Sequence, residues 1–82
     1  MKYTIDKTTL EYRASRIKMY AYGFGTHKEQ RKVIDAGSIE DIEKALEFIN
    51  NDMSPWNADK RPYAISRLTN RLNYLKSLTP KN

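Results

Sequence analysis

The sequence predicts an α+β fold, with a small antiparallel sheet over about residues 2–36 followed by two packed helices at about 39–51 and 62–78. Three observations lead there. Residues 16–24 (RIKMYAYGF) are rich in aromatic and β-branched side chains and alternate Ile17, Met19 and Ala21 against Lys18, Tyr20 and Tyr22, the period-two pattern of a half-buried strand. Val33-Ile34-Asp35-Ala36 runs into a Gly37-Ser38 turn, as a strand feeding a helix does. Beyond that turn, apolar residues switch to three- and four-residue spacing, the helical period.

Taken in chain order, Tyr3-Thr4-Ile5 and Leu10 to Ala14 supply further strand material, and Gly23-Phe24-Gly25-Thr26 with His27-Lys28-Glu29 forms the loop between the two main strands. An all-α alternative exists for this half. Thr8-Thr9-Leu10-Glu11 resembles a capping box, Leu10, Ala14, Ile17 and Ala21 have helical spacing, Gly23 is a candidate stop, and Thr26 to Glu29 can cap a second helix. Against it, residues 20–25 are poor helix formers, and residues 27–36 hold too few apolar positions for an amphipathic helix. The second half is plainer. Ser38 caps a helix with acids in its first turn and a seam of Ile39, Ile42, Leu46 and Ile49, widened by Ala45 and Phe48; residues 50–52 end it. Residues 53–59 read as a loop around Pro55, with Trp56 expected as a core anchor or else an exposed contact. A last helix opens at Pro62 with a seam of Ile65, Leu68, Leu72, Leu75 and Leu78, and Pro80 stops it.

Charge is sorted into blocks. Residues 1–34 hold eight cations against three acids, residues 35–59 seven acids against Lys44 alone, and residues 60–82 six cations with no acid, giving +5, −6 and +6 and the net +5 of the chain. Such polarity, with a pI near 9.6, points to polyanions or acidic protein surfaces as partners. The 82 residues make one domain with a modest core. No cysteine is present, which rules out disulfides and thiolate metal sites and fits a reducing compartment. The chain begins without the apolar core of a signal peptide and contains no membrane-length apolar run, so a cytoplasmic protein off the membrane is expected.

The last helix carries the sharpest functional hint. Tyr63, Arg67, Arg71 and Tyr74 fall on one face away from the leucine seam, with Lys60 and Arg61 at its start. Arginine forks match phosphate oxygens and tyrosine rings stack on unpaired bases, although a solvated face with tyrosines over the core edge has the same pattern. Arg13, Arg16, Lys18, Arg31 and Lys32 form a second candidate surface if residues 16–24 pair with 29–36. Phe24 and Trp56 are candidate protein contacts. Catalysis is poorly served: His27 is the single histidine, Gly23-Phe24-Gly25 lacks the spacing of a phosphate loop, and no cofactor or metal motif appears among Asp35, Asp41, Asp52 and the acidic helix. On that helix Glu40 is expected to pair with Lys44, and the mix of charges also allows a homodimer.

In size, composition and layout, the chain is similar to small phage-encoded inhibitors and accessory proteins such as anti-CRISPR proteins and phage antitoxins. The likeness rests on the β-rich start through residues 16–36, then SIEDIEKALEFINN and YAISRLTNRLNYLKSL. It implies a non-catalytic protein that blocks a host enzyme or nucleoprotein by binding, and it carries no functional residue across. The expectation is therefore a non-enzymatic binder of nucleic acid, RNA or single strands before duplex DNA, or of a nucleoprotein. The alternative is a protein-directed inhibitor whose basic face caps an acidic or nucleic-acid-binding surface.

Overall fold

The computed structural model describes residues 9–78, which hold four α-helices: α1 (Leu10–Ala21), α2 (His27–Asp35), α3 (Ile39–Asn50) and α4 (Arg61–Ser77), with a short 3-10 turn at Pro55–Asn57. No strand occurs among these residues, so the described fold is all-α and the expected α+β fold is wrong, in favour of the all-α alternative. The proposed strand Tyr3-Thr4-Ile5 and the stop at Pro80 lie outside the described residues.

Local capping explains why the first half is helical. The Thr9 hydroxyl accepts from the Tyr12 N–H at 3.1 Å and starts α1. The Schellman pair Gly23 N–H to Tyr20 O and Phe24 N–H to Met19 O ends it, with Gly23 at φ 113°, where a side chain would be strained. Thr26 and Glu29 form a reciprocal capping box on α2, Glu29 N–H donating to Thr26 Oγ1 at 3.1 Å and Thr26 N–H to Glu29 Oε1 at 2.9 Å. The Thr26 N–H, with the Thr26 hydroxyl behind it, lowers the Glu29 carboxyl from its ordinary value. Ser38 and Asp41 repeat the device on α3.

The core is Ala14, Ile17 and Ala21 of α1, Ile34 of α2, Ile42, Ala45 and Ile49 of α3, and Ala64, Leu68 and Leu72 of α4. Helix α3 lies between α1 and α4, and α2 closes over α1. Ile42, Ile49 and Leu68 are fully buried, each stabilising the fold by about 1.5–3 kcal/mol relative to exposure. The alternation read in residues 16–24 resolves into the helical set Ala14, Ile17, Tyr20 and Ala21, which are buried while Met19 faces solvent. On α4 the seam is rotated from the expected one: Ala64 is buried and Leu78 exposed.

The three-residue connection from α2 to α3 is tight because Gly37 is buried against α1. A Cβ there would sit 2.8 Å from Ile17 Cδ1 and 3.3 Å from Ile42 Cδ1. Nearby, Arg13 Nε meets Asp41 Oδ1 at 3.0 Å and fastens α1 to the first turn of α3. Lys44 pairs with Glu47 at 3.3 Å, in place of the expected Glu40, and Lys76 with Glu43 at 3.5 Å.

Candidate nucleic-acid interface

The arginines of α4 are built into the fold as well as facing out of it. Arg67 Nη1 donates to Gln30 Oε1 at 2.9 Å, and Gln30 Nε2 donates in turn to the Gly25 carbonyl at 3.1 Å. Gln30 is only 4% exposed, so this chain satisfies a buried amide at the α2–α4 contact. One turn along, Arg71 Nη2 donates to the Asp35 carbonyl at 3.2 Å, and its Nε lies 3.7 Å from Asp35 Oδ1. The guanidinium of Arg67 stands over the Tyr63 ring at 5.9 Å, and that of Arg71 over Tyr74 at 5.1 Å. Both tyrosines are about half exposed, at 56% and 53%.

These bonds differ electrostatically. Gln30 is neutral, so Arg67 is fixed in position with its charge uncompensated and further N–H donors remaining. Arg71 shares its charge with Asp35.

Helix α2 extends the basic surface. Lys28, Arg31 and Lys32 are exposed and border a shallow depression with Asp35. Lys32 also borders a neighbouring depression with Arg16, Tyr20 and Glu29. Arg16 lies 5.5 Å over the buried Tyr20 ring. A band thus runs from Arg16 of α1 across Lys32, Lys28 and Arg31 of α2 to Arg71 and Arg67 of α4, six cations with Glu29 and Asp35 as the acids among them.

The other candidates do not join this band. Arg13 is committed to Asp41, and Lys18 lies 3.5 Å from Asp52 Oδ2. The strand pairing that was to gather Arg13, Arg16, Lys18, Arg31 and Lys32 does not exist, and α1 turns Lys18 away from Arg16. Lys60 and Arg61 stand at the start of α4. Arg61 borders an open groove with Pro62, Ile65 and Asn70, its Nε buried without an acceptor. Lys60 borders a separate cleft with Lys18, Met19, Phe24 and Asn57.

Asp52, just past α3, organises that end of the molecule. Its carboxylate accepts from Ser54 Oγ at 2.6 Å, Ser54 N–H at 3.0 Å, Tyr22 Oη at 2.8 Å and Asn57 Nδ2 at 3.0 Å. The Ser54 bonds, then those from Tyr22 and Asn57, hold its pKa far below the carboxylate range against the cost of desolvation. Burial, with the Asp52 bond and charge behind it, pushes the Tyr22 phenol up to about 12. The loop so held presents Trp56 at 78% exposure and Met53 at 77%, which overturns the expectation of Trp56 as a core anchor. Phe24, 55% exposed, stands edge-on to Tyr20 with centroids 5.3 Å apart.

Sequence reasoning missed Gln30 and the Asp52 hub, and it left Lys28 out of the basic surface. The Lys28, Arg31, Lys32 spacing at i, i+3 and i+4 would have placed them together had α2 been read as a helix. No group of three or more metal-ligating side chains gathers among the described residues, and no described helix is long and apolar enough to cross a membrane. Compared with protein-family models, curated proteins and solved structures, the chain matches none.

Proposed function

We propose that this protein is a non-enzymatic nucleic-acid-binding protein, of an accessory or inhibitor kind, which holds single-stranded nucleic acid, RNA before DNA, on the α2–α4 band. One observation carries the reading: Arg67 and Arg71 are fixed by bonds to α2 while Tyr63 and Tyr74 stay half exposed beside them. Phosphate affinity comes from cations, and fixing them in advance lowers the ordering cost of binding. The eleven-residue step from Tyr63 to Tyr74 spans about 16 Å of helix at about 1.5 Å per residue. At about 3.4 Å per stacked nucleotide that is about five nucleotides. The two rings are thus set to stack on unpaired bases at either end of a short strand whose phosphates lie along the band. A duplex hides its bases from such rings, which is the reason for preferring single strands.

The test is fluorescence anisotropy of labelled single-stranded RNA, single-stranded DNA and duplex DNA, each at low and near-physiological salt. Micromolar or tighter binding that persists at the higher salt and ranks RNA first is expected. Weak binding that vanishes with salt for every polymer would refute the proposal and assign the band to an acidic protein surface instead.

A further inference from the structure

We infer that the cleft between the end of α1 and the Asp52 loop is a docking site for a partner protein, one presenting an apolar side chain flanked by carboxylates. The cleft has a volume of about 470 Å³ and is lined by Ser15, Lys18, Met19, Tyr22, Phe24 and Lys60 among others. It is separate from the basic band, since its lining shares no residue with the two depressions along that band.

Apolar exposure supports a partner here. Seven large hydrophobic side chains are exposed among the described residues, and four of them, Met19, Phe24, Met53 and Trp56, belong to this cleft or to the loop that walls it. Tyr63 and Tyr74 are accounted for by the band. An exposed aromatic on a floppy loop would mean little, but this loop is tied down. Asp52 binds Ser54 and Asn57 within it, Lys18 on α1 and Tyr22 just past the end of α1. The loop that carries Trp56 and Met53 is therefore held in place, which lowers the backbone ordering cost of binding through them.

Charge decides the occupant. The lining holds two lysines and no acid. Lys18 shares its charge with Asp52 at 3.5 Å, so the exposed Lys60 is the principal cation of the lining left to meet an incoming anion. An apolar side chain in the cleft with a carboxylate on either side satisfies both features. A nucleic acid offers phosphates and bases but no aliphatic group for Met19 and Met53, and a second copy of this chain would have to bring its acidic α3 rather than its basic α2–α4 face, an arrangement the test separates.

The test selects displayed random short peptides on the full chain, counter-selects on the Phe24→Ser and Lys60→Glu variants, and measures the affinities of the survivors. Both side chains are exposed, and should F24S fail to fold, K60E still decides. The expected result is a shared aromatic or aliphatic residue between Asp or Glu. Affinity should fall about tenfold or more on each variant and stay unchanged on Lys28→Gln/Arg31→Gln/Lys32→Gln, where nucleic-acid binding weakens. Survivors without the acidic flanks, or peptides that bind K60E as well as the parent protein, would overturn the inference. So would concentration-dependent self-association abolished by F24S, which would make a second copy the occupant.

Discussion

Replacing Lys28, Arg31 and Lys32 together by glutamine removes half of the six cations on the band while touching only exposed side chains of α2. If all six meet phosphate, the slope of log K against log salt on a single strand is about −4, at about −0.7 per contact. Three remaining contacts bring it to about −2. Between about 50 and 200 mM salt, the parent protein should then lose affinity about 300-fold and the variant only about 20-fold. The acids Glu29 and Asp35 lie within the band, so these are upper bounds; the halving of the slope is the firm expectation. Anisotropy of labelled single-stranded RNA over a salt series reads both slopes, with a urea melt to establish equal folding. An unchanged slope, or an affinity loss equal at every salt, would refute the reasoning. The Arg67 and Arg71 pair serves this purpose poorly, because neutralising it also cuts the bonds to Gln30 and Asp35.

Other expectations concern what those bonds and contacts hold together. Arg67→Ala leaves the buried Gln30 carbonyl without its donor and should cost about 1–3 kcal/mol in urea unfolding, against within about 0.5 kcal/mol for Arg31→Ala; equal effects would mean that the Arg67–Gln30 bond does not matter. Gly37→Ala drives a methyl against Ile17 Cδ1 and should cost about 1–3 kcal/mol. Ile17→Val, which removes that carbon, should cost about 0.5–1.5 kcal/mol alone and rescue most of the glycine variant's loss in the double mutant. Simple additivity of the two would deny the contact. Tyr22 has a folded pKa of about 12, above the unfolded value, so its contribution is complete below about pH 10 and is lost as pH rises towards 12. Thermal melts across that window should drop for the parent protein and flatten in Tyr22→Phe; an equally steep drop in the variant would place the alkaline loss elsewhere.

The proposed binding of short single strands needs cations held where phosphates would lie, and the α2–α4 bonds hold Arg67 without neutralising it. The same economy of contacts recurs at Asp52, where one carboxylate fixes a loop and so fixes the apolar side chains on it.

Local chemistry made α3 and α4 legible in the sequence. Ser38, the acids after it and the isoleucine spacing define α3, and Pro62 with Leu68 and Leu72 define α4, since caps and a 3.6-residue period act within one segment. The Tyr63–Arg67–Arg71–Tyr74 stripe was legible for the same reason. Helix α2 was not, because its inner face is completed by Gln30, a polar residue whose burial is tolerable only with Gly25 and Arg67 as partners, 5 and 37 residues away. Helix α1 was legible only as the all-α alternative, with its cap, its Ala14–Ile17–Ala21 spacing and its Gly23 stop all in the sequence, because core residues as small as Ala14 and Ala21 also suit a strand until α3 packs on them. Trp56 went outward because Asp52 fastens its loop by bonds reaching back 30 residues to Tyr22. The sequence by itself determined where helices can start and stop and which charges share a helix face. Tertiary structure decided which faces meet, and with them which cations are spent inside the fold and which stay outside, because burial and pairing depend on neighbours that sequence distance does not record.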